Sequence, residues 1–504
     1  MLNLFNTLNR KKEEFIPLFA YTKLHHYKRE KVVGLYTCGP TVYNYAHIGN
    51  LRSYIFEDIL KRALLYNNYK VRHVMNITDV GHLTSNSDDG EDKIEKGAKR
   101  EGKTAWKIAA FYTRKFKENL VVLNILPADI LCKATDNIPE QIALAQKLID
   151  LGYTYETNDG IYFDTTKITD YGKLAGLKKQ KIRPGARVKM SEKKNQHDFA
   201  LWKWSKQNEQ EHKQPLLGNG VEGSKRQMEW KTPFGNGNLG RKGFPGWHLE
   251  CSAISMKFLG EQFDIHCGGI DHISIHHTNE IAQSEAATGK KPWVRYWMHN
   301  EFLLVDGGKM AKSKENFITL DTLIKKGFNP LSYRYFLLQT HYRKKIKFTW
   351  KALEAAEAGL KHLYASVAAL KPSKIGCIDA ACRPARRQNR QSDFEKKFLE
   401  ALNDDLNIPK ALAVAWDLLK SDNPSSAKAE SLLKFDQILG LNLAKKLKEA
   451  RQEIPTEIKK LSAQREKARQ EKNWVESDSL REEIIKMGFA IEDTNEGQKI
   501  IKKK

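Results

Sequence analysis

The chain has 504 residues, 40% of them apolar and 29% charged, enough apolar content for packed cores and about three domains, which excludes wholesale disorder. No run approaches the ~18 apolar residues of a membrane helix, and the opening Met1-Leu2-Asn3-Leu4-Phe5-Asn6 lacks the charged-then-apolar layout of a secretory leader. Six cysteines without CxxC spacing are too few for a disulfide framework and fit a reducing cytoplasm, while a net charge of +24 points to a polyanion, either nucleic acid or an anionic membrane surface, against a bland preference for lysine.

The first element is a short buried strand over 33–38, ended by Gly39-Pro40. After it, Phe56, Leu60, Ala63 and Leu64 recur at the spacing of one helix face, and a second β-rich run covers 71–78. Strand, helix, strand predicts a βαβ unit with a parallel sheet. Residues 103–151 read as helical, and 152–200 as short β-rich runs separated by turns. The polar, Gly/Asn-rich stretch 203–243 reads as an inserted loop region, and α/β patterning returns over 263–305. From Trp350 the chain reads as helices, with Leu353, Ala356, Leu360 and Leu363 on one face; 371–392 reads as a basic linker, followed by a further helical stretch to about 450 and a basic tail from 457.

Three constellations carry chemistry. His47-Ile48-Gly49-Asn50 stands between the first strand and its helix, where free N–H groups and a partial positive charge suit phosphates and Gly49 permits close backbone approach; alone it equally fits an ordinary βα loop. Lys309-Met310-Ala311-Lys312-Ser313 follows a glycine hinge, and its lysines can gather the charge that builds up as pyrophosphate leaves; alone it equally fits a solvated basic loop. His276 and Glu280 are four apart in a helix-compatible run and share one face. With Cys38 and Cys251 they offer thiolate, imidazole and carboxylate, a donor set that favours tetrahedral Zn²⁺.

These segments together resemble the class I aminoacyl-tRNA synthetases. The first two look like the HIGH and KMSKS signatures, with Asn50 in place of the second His and Ala311 in place of the first Ser. Tyr36-Thr37-Cys38-Gly39-Pro40-Thr41-Val42-Tyr43, Asn76-Ile77-Thr78-Asp79, Asp198-Phe199-Ala200-Leu201-Trp202-Lys203, Pro245-Gly246-Trp247-His248-Leu249-Glu250-Cys251-Ser252-Ala253 and His276-His277-Thr278-Asn279-Glu280-Ile281-Ala282-Gln283 narrow the resemblance to the cysteinyl-tRNA synthetase family. The tail from Arg465 through Asp493-Thr494 is similar to that family's anticodon-binding module.

The resemblance implies an α/β fold with a Rossmann-like parallel-sheet catalytic domain over 1–300, including an inserted connective region at about 125–243. It further implies a KMSKS-loop region over 301–348, a helical bundle over 349–450 and a small anticodon-binding domain over 457–504. It implies one zinc held by Cys38, Cys251, His276 and Glu280, an amino-acid pocket shaped by Gly39, Thr41, Thr78 and Trp247, and ATP with Mg²⁺ held by His47, Gly49, Asn50 and Lys312, with Lys309 beside them. Arg469, Trp474, Asp478 and Asp493 would read the anticodon. The implied partners are L-cysteine, ATP and cysteine tRNA, and the implied state is a cytoplasmic monomer. The rivals are an amino-sugar ligase of the mycothiol pathway, which lacks a full anticodon tail, a non-catalytic nucleic-acid-binding protein, and a zinc hydrolase, for which no HExxH helix is present.

Overall fold

The computed structural model describes residues 1–20, 32–83, 90–176, 192–205, 226–234, 240–305, 317–370, 392–449, 455–494 and 497–502. These form two compact units, one of Met1–Ser366 with Lys371–Leu443, the other of Val367–Leu370 with Ala444–Lys504.

The larger unit is built on a five-stranded parallel sheet. Val32–Thr37 lies at its centre, with Lys70–Ile77 and then Ile130–Lys133 on one side, and Phe263–Gly269 and then Val294–Asn300 on the other. The chain fills one side first and crosses to the other only much later. The crevice beyond the carboxyl ends of Val32–Thr37 and Phe263–Gly269 is therefore the switch point at which open parallel sheets bind ligands. The central strand is buried almost throughout, as a strand covered on both faces must be. This is the Rossmann-like architecture expected from the sequence.

Two expectations are corrected. The stretch 103–151 is not one helical region: helices Ala105–Val122 and Ile138–Asp150 flank Ile130–Lys133, which adds an edge strand to the parallel sheet. The stretch 203–243 is not simply an inserted loop. Phe199–Trp204, Trp230–Lys231 and Lys242–Pro245 join Thr154–Thr157 and Gly160–Phe163 in a second, antiparallel five-stranded sheet, packed through Phe163, Phe199, Leu201 and Trp202. Residues 206–225 and 235–239 of that stretch, and the linker at 371–391, lie outside the described residues. Helix Trp350–Ala368 buries Leu353, Ala356, Leu360 and Leu363, the face read from the sequence.

Helix Ile48–Tyr66 leads from the central strand to Lys70–Ile77 and is buried along most of its length. Its Asp58 accepts hydrogen bonds from Arg62 Nε (2.8 Å), Arg334 Nη2 (2.5 Å) and the Leu126 N–H (2.8 Å). Arg334, fully buried in helix Pro330–Leu338, also donates to the Leu439 carbonyl, and so ties the sheet to the helical part of the unit. Asp58→Ala strands two buried guanidinium groups, a change worth about 3–5 kcal/mol of stability. A denaturant titration followed by tryptophan fluorescence should show the loss; an unchanged midpoint would mean the ion pair is not an anchor.

The smaller unit packs helices Thr456–Gln470 and Trp474–Lys486 on an antiparallel pair, Phe489–Thr494 with Gly497–Lys502, around Ile458, Ile484, Phe489 and Ile491.

Candidate active site

A cavity of about 540 Å³ opens at the switch point of the parallel sheet. Its walls include Cys38, Gly39, Thr41, His47, Asn50, Thr78, Trp247, Cys251 and His276, so most of the sequence-derived catalytic, pocket and metal residues face one space.

Cys38 follows the central strand directly, and the next residue must be glycine. A β-carbon on Gly39 would lie 1.6 Å from the Asn76 carbonyl oxygen. The Gly39 N–H meanwhile donates to Asn76 Oδ1 at 2.9 Å, so the two loop ends are laced together. Gly39→Ala forces this backbone contact apart, and a lowered melting temperature in a thermal scan is expected. A wild-type melting curve would show that the loop yields without cost.

Cys251 and Trp247 sit one turn apart on helix Trp247–Leu259, and His276 and Glu280 one turn apart on helix His276–Thr288, so each pair shares a face. One ligand atom from each of Cys38, Cys251, His276 and Glu280 lies within 4.8 Å of the other three, and all four residues are buried. His276 Nε2 is 3.5 Å from Cys251 Sγ and 2.8 Å from Glu280 Oε1, yet that oxygen takes no aligned hydrogen bond. Its partner ring nitrogen Nδ1 is held 2.9 Å from His248 Nδ1.

Electrostatics mark the same cluster. Burial pushes the Cys38 thiol up to about 12 and raises Cys251 well above its usual range. Burial also opposes charge on His276, but Glu280 and Cys251 outweigh it and push the imidazole up to about 10. Burial would raise Glu280 too, yet His276 and His266 hold it well below the usual carboxylate range. The cluster thus draws a positive charge onto its own histidine. Two sulfurs, an imidazole and an orphaned carboxylate oxygen form a donor set that suits a thiophilic divalent cation in that proton's place.

Sequence reasoning missed the residues that build the opposite wall. The indole of Trp247 is sandwiched between His276 (ring centroids 4.2 Å apart, planes 22°) and His82 (4.0 Å, 12°). Burial, then Lys93, keeps His82 well below the usual imidazole range, so its ring is neutral. Lys93 Nζ approaches His82 Nε2 at 2.5 Å, leaving Nδ1 to donate to Thr41 Oγ1 at 2.6 Å. The Thr41 hydroxyl, accepting from His82 on one of its two lone pairs, keeps its own proton for the cavity it lines. The visible signal was a histidine in the loop four residues after Thr78, where a strand hands over to a site loop.

His47 and Asn50 do more than face the cavity. The Asn50 N–H donates to His47 Nδ1 (3.0 Å) and the His47 N–H donates to Asn50 Oδ1 (3.2 Å), a reciprocal cap on helix Ile48–Tyr66. Asn50 closes this cap at the position where the HIGH pattern carries its second histidine. With Gly49, Ser53, Gly269 and Asp271, both residues line an adjoining cavity of about 110 Å³. Lys309 and Lys312 lie outside the described residues. The segment just after them is tethered to the same helix start: Phe317 packs edge-on against His47, the Ile48 N–H donates to the Ile318 carbonyl (2.9 Å), and Thr319 bridges His47.

In the smaller unit the four candidate anticodon residues lie near one another but are not equally available. Arg465 grips Asp493 with both terminal nitrogens (2.8 and 3.0 Å), and Arg469 adds a third contact at 3.1 Å. The Arg469 guanidinium lies 5.7 Å from the centre of the exposed Trp474 ring, and Asp478 is exposed.

Residues 24–358 match the model of the tRNA synthetases class I (C) catalytic domain, and residues 451–500 that of the cysteinyl-tRNA ligase anticodon binding domain. The chain is 45% identical to cysteine–tRNA ligase 1 of Burkholderia lata, over 99% of this chain and 96% of that one. The chain belongs to the cysteine–tRNA ligase family. A second relative, the cysteine–tRNA ligase of Treponema denticola, is 43% identical over 98% of each chain. Mycobacterium tuberculosis methionyl-tRNA synthetase in complex with methionyl-adenylate shares the fold at 14% identity, with a TM-score of 0.51 over 84% of this chain and 91% of that one. The protein is therefore an aminoacyl-tRNA synthetase of class I, and its second unit coincides with the anticodon-binding module of cysteine–tRNA ligases. No helix among the described residues is long and apolar enough to cross a membrane.

Proposed function

We propose that this enzyme attaches L-cysteine to the 3′ end of cysteine tRNA through a cysteinyl-adenylate, as a cytoplasmic monomer. The observation that carries the reading is the convergence of Cys38, Cys251, His276 and Glu280 at one wall of the cavity that His47 and Asn50 also line. Those four residues would hold Zn²⁺, which when bound supplies a soft acceptor for the substrate thiolate. Serine differs by one atom, and its hydroxyl is a far poorer partner for such a site. Discrimination of ~10⁴ is attainable without editing where a directed interaction separates two substrates.

Trp247, braced on both faces, closes the amino-acid pocket, while Thr41 offers its proton and Gly39 its bare backbone to the substrate. The helix start at His47–Asn50 receives ATP, with Mg²⁺ accompanying the nucleotide. The cysteine carboxylate attacks the α-phosphate and pyrophosphate leaves toward Lys309 and Lys312. The terminal ribose hydroxyl of the tRNA then attacks the activated carbonyl and displaces AMP. Neither step calls for a protein general base; positioning and charge stabilisation supply the rate. Cysteine-dependent exchange of labelled pyrophosphate into ATP is the test. Absence of exchange with cysteine, or equal exchange with serine, would refute the assignment.

Arg469, Trp474, Asp478 and Asp493 are proposed as the anticodon face, with Trp474 as a stacking platform and Arg465 fixing Asp493 in place. Removing residues 457–504 should leave pyrophosphate exchange intact and weaken tRNA charging, at roughly 1–3 kcal/mol per lost base stack. Charging of cysteine tRNA and of an anticodon variant is then compared for the full and shortened chains. If both chains discriminate equally, the tail does not read the anticodon.

A further inference from the structure

The His82–Trp247 stack joins two segments far apart in the chain, and a third segment braces both. Arg226 lies just ahead of Trp230–Lys231, an edge strand of the antiparallel sheet. Its guanidinium carbon sits 3.4 Å from the centre of the Phe244 ring, three residues before Trp247. Its Nη2 donates to Asp92 Oδ2 at 2.5 Å, and its Nε donates to the Met228 carbonyl at 2.8 Å. The same Asp92 oxygen accepts the N–H of Gly81, the residue before His82, at 2.9 Å. One guanidinium therefore touches the run-up to Trp247 directly and the run-up to His82 through a single carboxylate.

We propose that Arg226 is a positioning residue for cysteine binding: it holds His82 and Trp247 in the stack that closes the amino-acid pocket, and so links the antiparallel sheet to amino-acid affinity. The inference rests on the reading of that pocket as the cysteine site. His82, Lys93 and Trp247 line the cavity, whereas Arg226 stands behind them and acts through them.

Each side of the brace is coupled tightly to the residue it serves. A β-carbon on Gly81, whose φ is +76°, would lie 2.3 Å from the Pro245 carbonyl oxygen, so the two run-ups are in direct backbone contact. The Lys93 N–H donates to the His82 carbonyl at 2.9 Å, and Asp92 Oδ1 caps helix Lys93–Glu101 through the Ile94 N–H at 2.8 Å. A shift of Asp92 thus carries with it the His82 backbone and the lysine that meets the His82 ring. Gln227 extends the contact: its N–H donates to Glu95 Oε1 (3.0 Å), and its Oε1 accepts the Ala105 N–H (2.7 Å).

Burial makes these contacts strong. The Asp92 side chain is 1% exposed and that of Arg226 14%, so the charge pair is shielded from water. Arginine suits the place, because its flat face lies on Phe244 while its edge carries N–H groups to Asp92 and to Met228. A lysine would meet the carboxylate but not reproduce the plane on the ring. The phosphate-facing helix start at His47 is a different wall of the cavity, so the effect of the brace falls on the amino acid and not on ATP.

The test is steady-state pyrophosphate exchange by the full-length chain, with Arg226→Met and Arg226→Lys beside the native enzyme and a melting curve for each. For Arg226→Met the KM for cysteine is expected to rise about tenfold or more, while the KM for ATP and the turnover number at saturating cysteine stay within about twofold. Arg226→Lys should recover part of the affinity. A role in folding alone would lower the amount of active enzyme and leave both KM values native; that result, or a native KM for cysteine in both variants, overturns the proposal. Should the methionine variant fail to fold, Phe244→Leu decides: it removes the ring beneath the guanidinium, leaves every charge in place, and is expected to show the same split between cysteine and ATP. A native KM for cysteine in that variant overturns the brace. A native chain that shows no exchange with cysteine overturns the reading of the pocket and the proposal together.

Discussion

Replacing Cys251 with alanine is expected to cost the enzyme its high-affinity zinc and its cysteine-dependent pyrophosphate exchange together, while the fold survives. The thiol projects from a long, well-packed helix, so its removal leaves a small void rather than a broken element. What disappears is one of only two sulfurs in the cluster, together with the charge that binds a divalent cation. Losing a ligand typically weakens a structural or catalytic zinc site by far more than the 10–100-fold cost of losing an outer-shell partner. Elemental analysis of the purified variant, with circular dichroism to verify the fold, gives the answer. Full zinc and full exchange in the variant would remove the metal assignment and with it the explanation of cysteine selection.

Lys312→Ala should reduce adenylate formation by about 10²-fold or more, with little change in the affinity for cysteine. The task proposed for this lysine is charge stabilisation as pyrophosphate departs, so its loss should appear in turnover rather than in ground-state binding. On the proposed reading the two effects are separable, because the amino acid would be recognised at the sulfur cluster and the phosphates at the helix start at His47. Phe317 and Thr319, which follow that segment in the chain, meet the same helix start. Steady-state exchange kinetics read both parameters. An unaltered turnover number would show that Lys312 does not meet the leaving group.

Much of this was legible from the chain because its signals are local. The βαβ opening, the one-turn spacing His276–Glu280, and the buried face of Trp350–Ala368 all follow from periodicity, which geometry turns directly into placement. Ile130–Lys133 was hidden because a run of only four residues, Ile-Leu-Cys-Lys, between two amphipathic helices carries no clear alternation, and only its pairing with Lys70–Ile77 makes it a strand. Trp230–Lys231 is shorter still and owes its place to two partners in Lys242–Pro245. His82 was missed for a different reason: its role arises from a stack on Trp247, a residue remote in sequence. Asp493 stands among the candidate anticodon contacts read from the chain, but its grip by Arg465 was not legible there, because helix and strand meet only after folding.

The order of the parallel sheet has a consequence for biosynthesis. The strand that delivers Cys38 takes Phe263–Gly269 as its neighbour, so during translation it waits, one edge open, until the ribosome has supplied much of the chain. Closing so long a loop is slow, as contacts between distant segments are. The donors cannot meet until Glu280 has emerged. Capture of the proposed metal would therefore be a late event in the life of the polypeptide, and a nascent chain stalled before Cys251 holds one sulfur of the pair with nothing to share it.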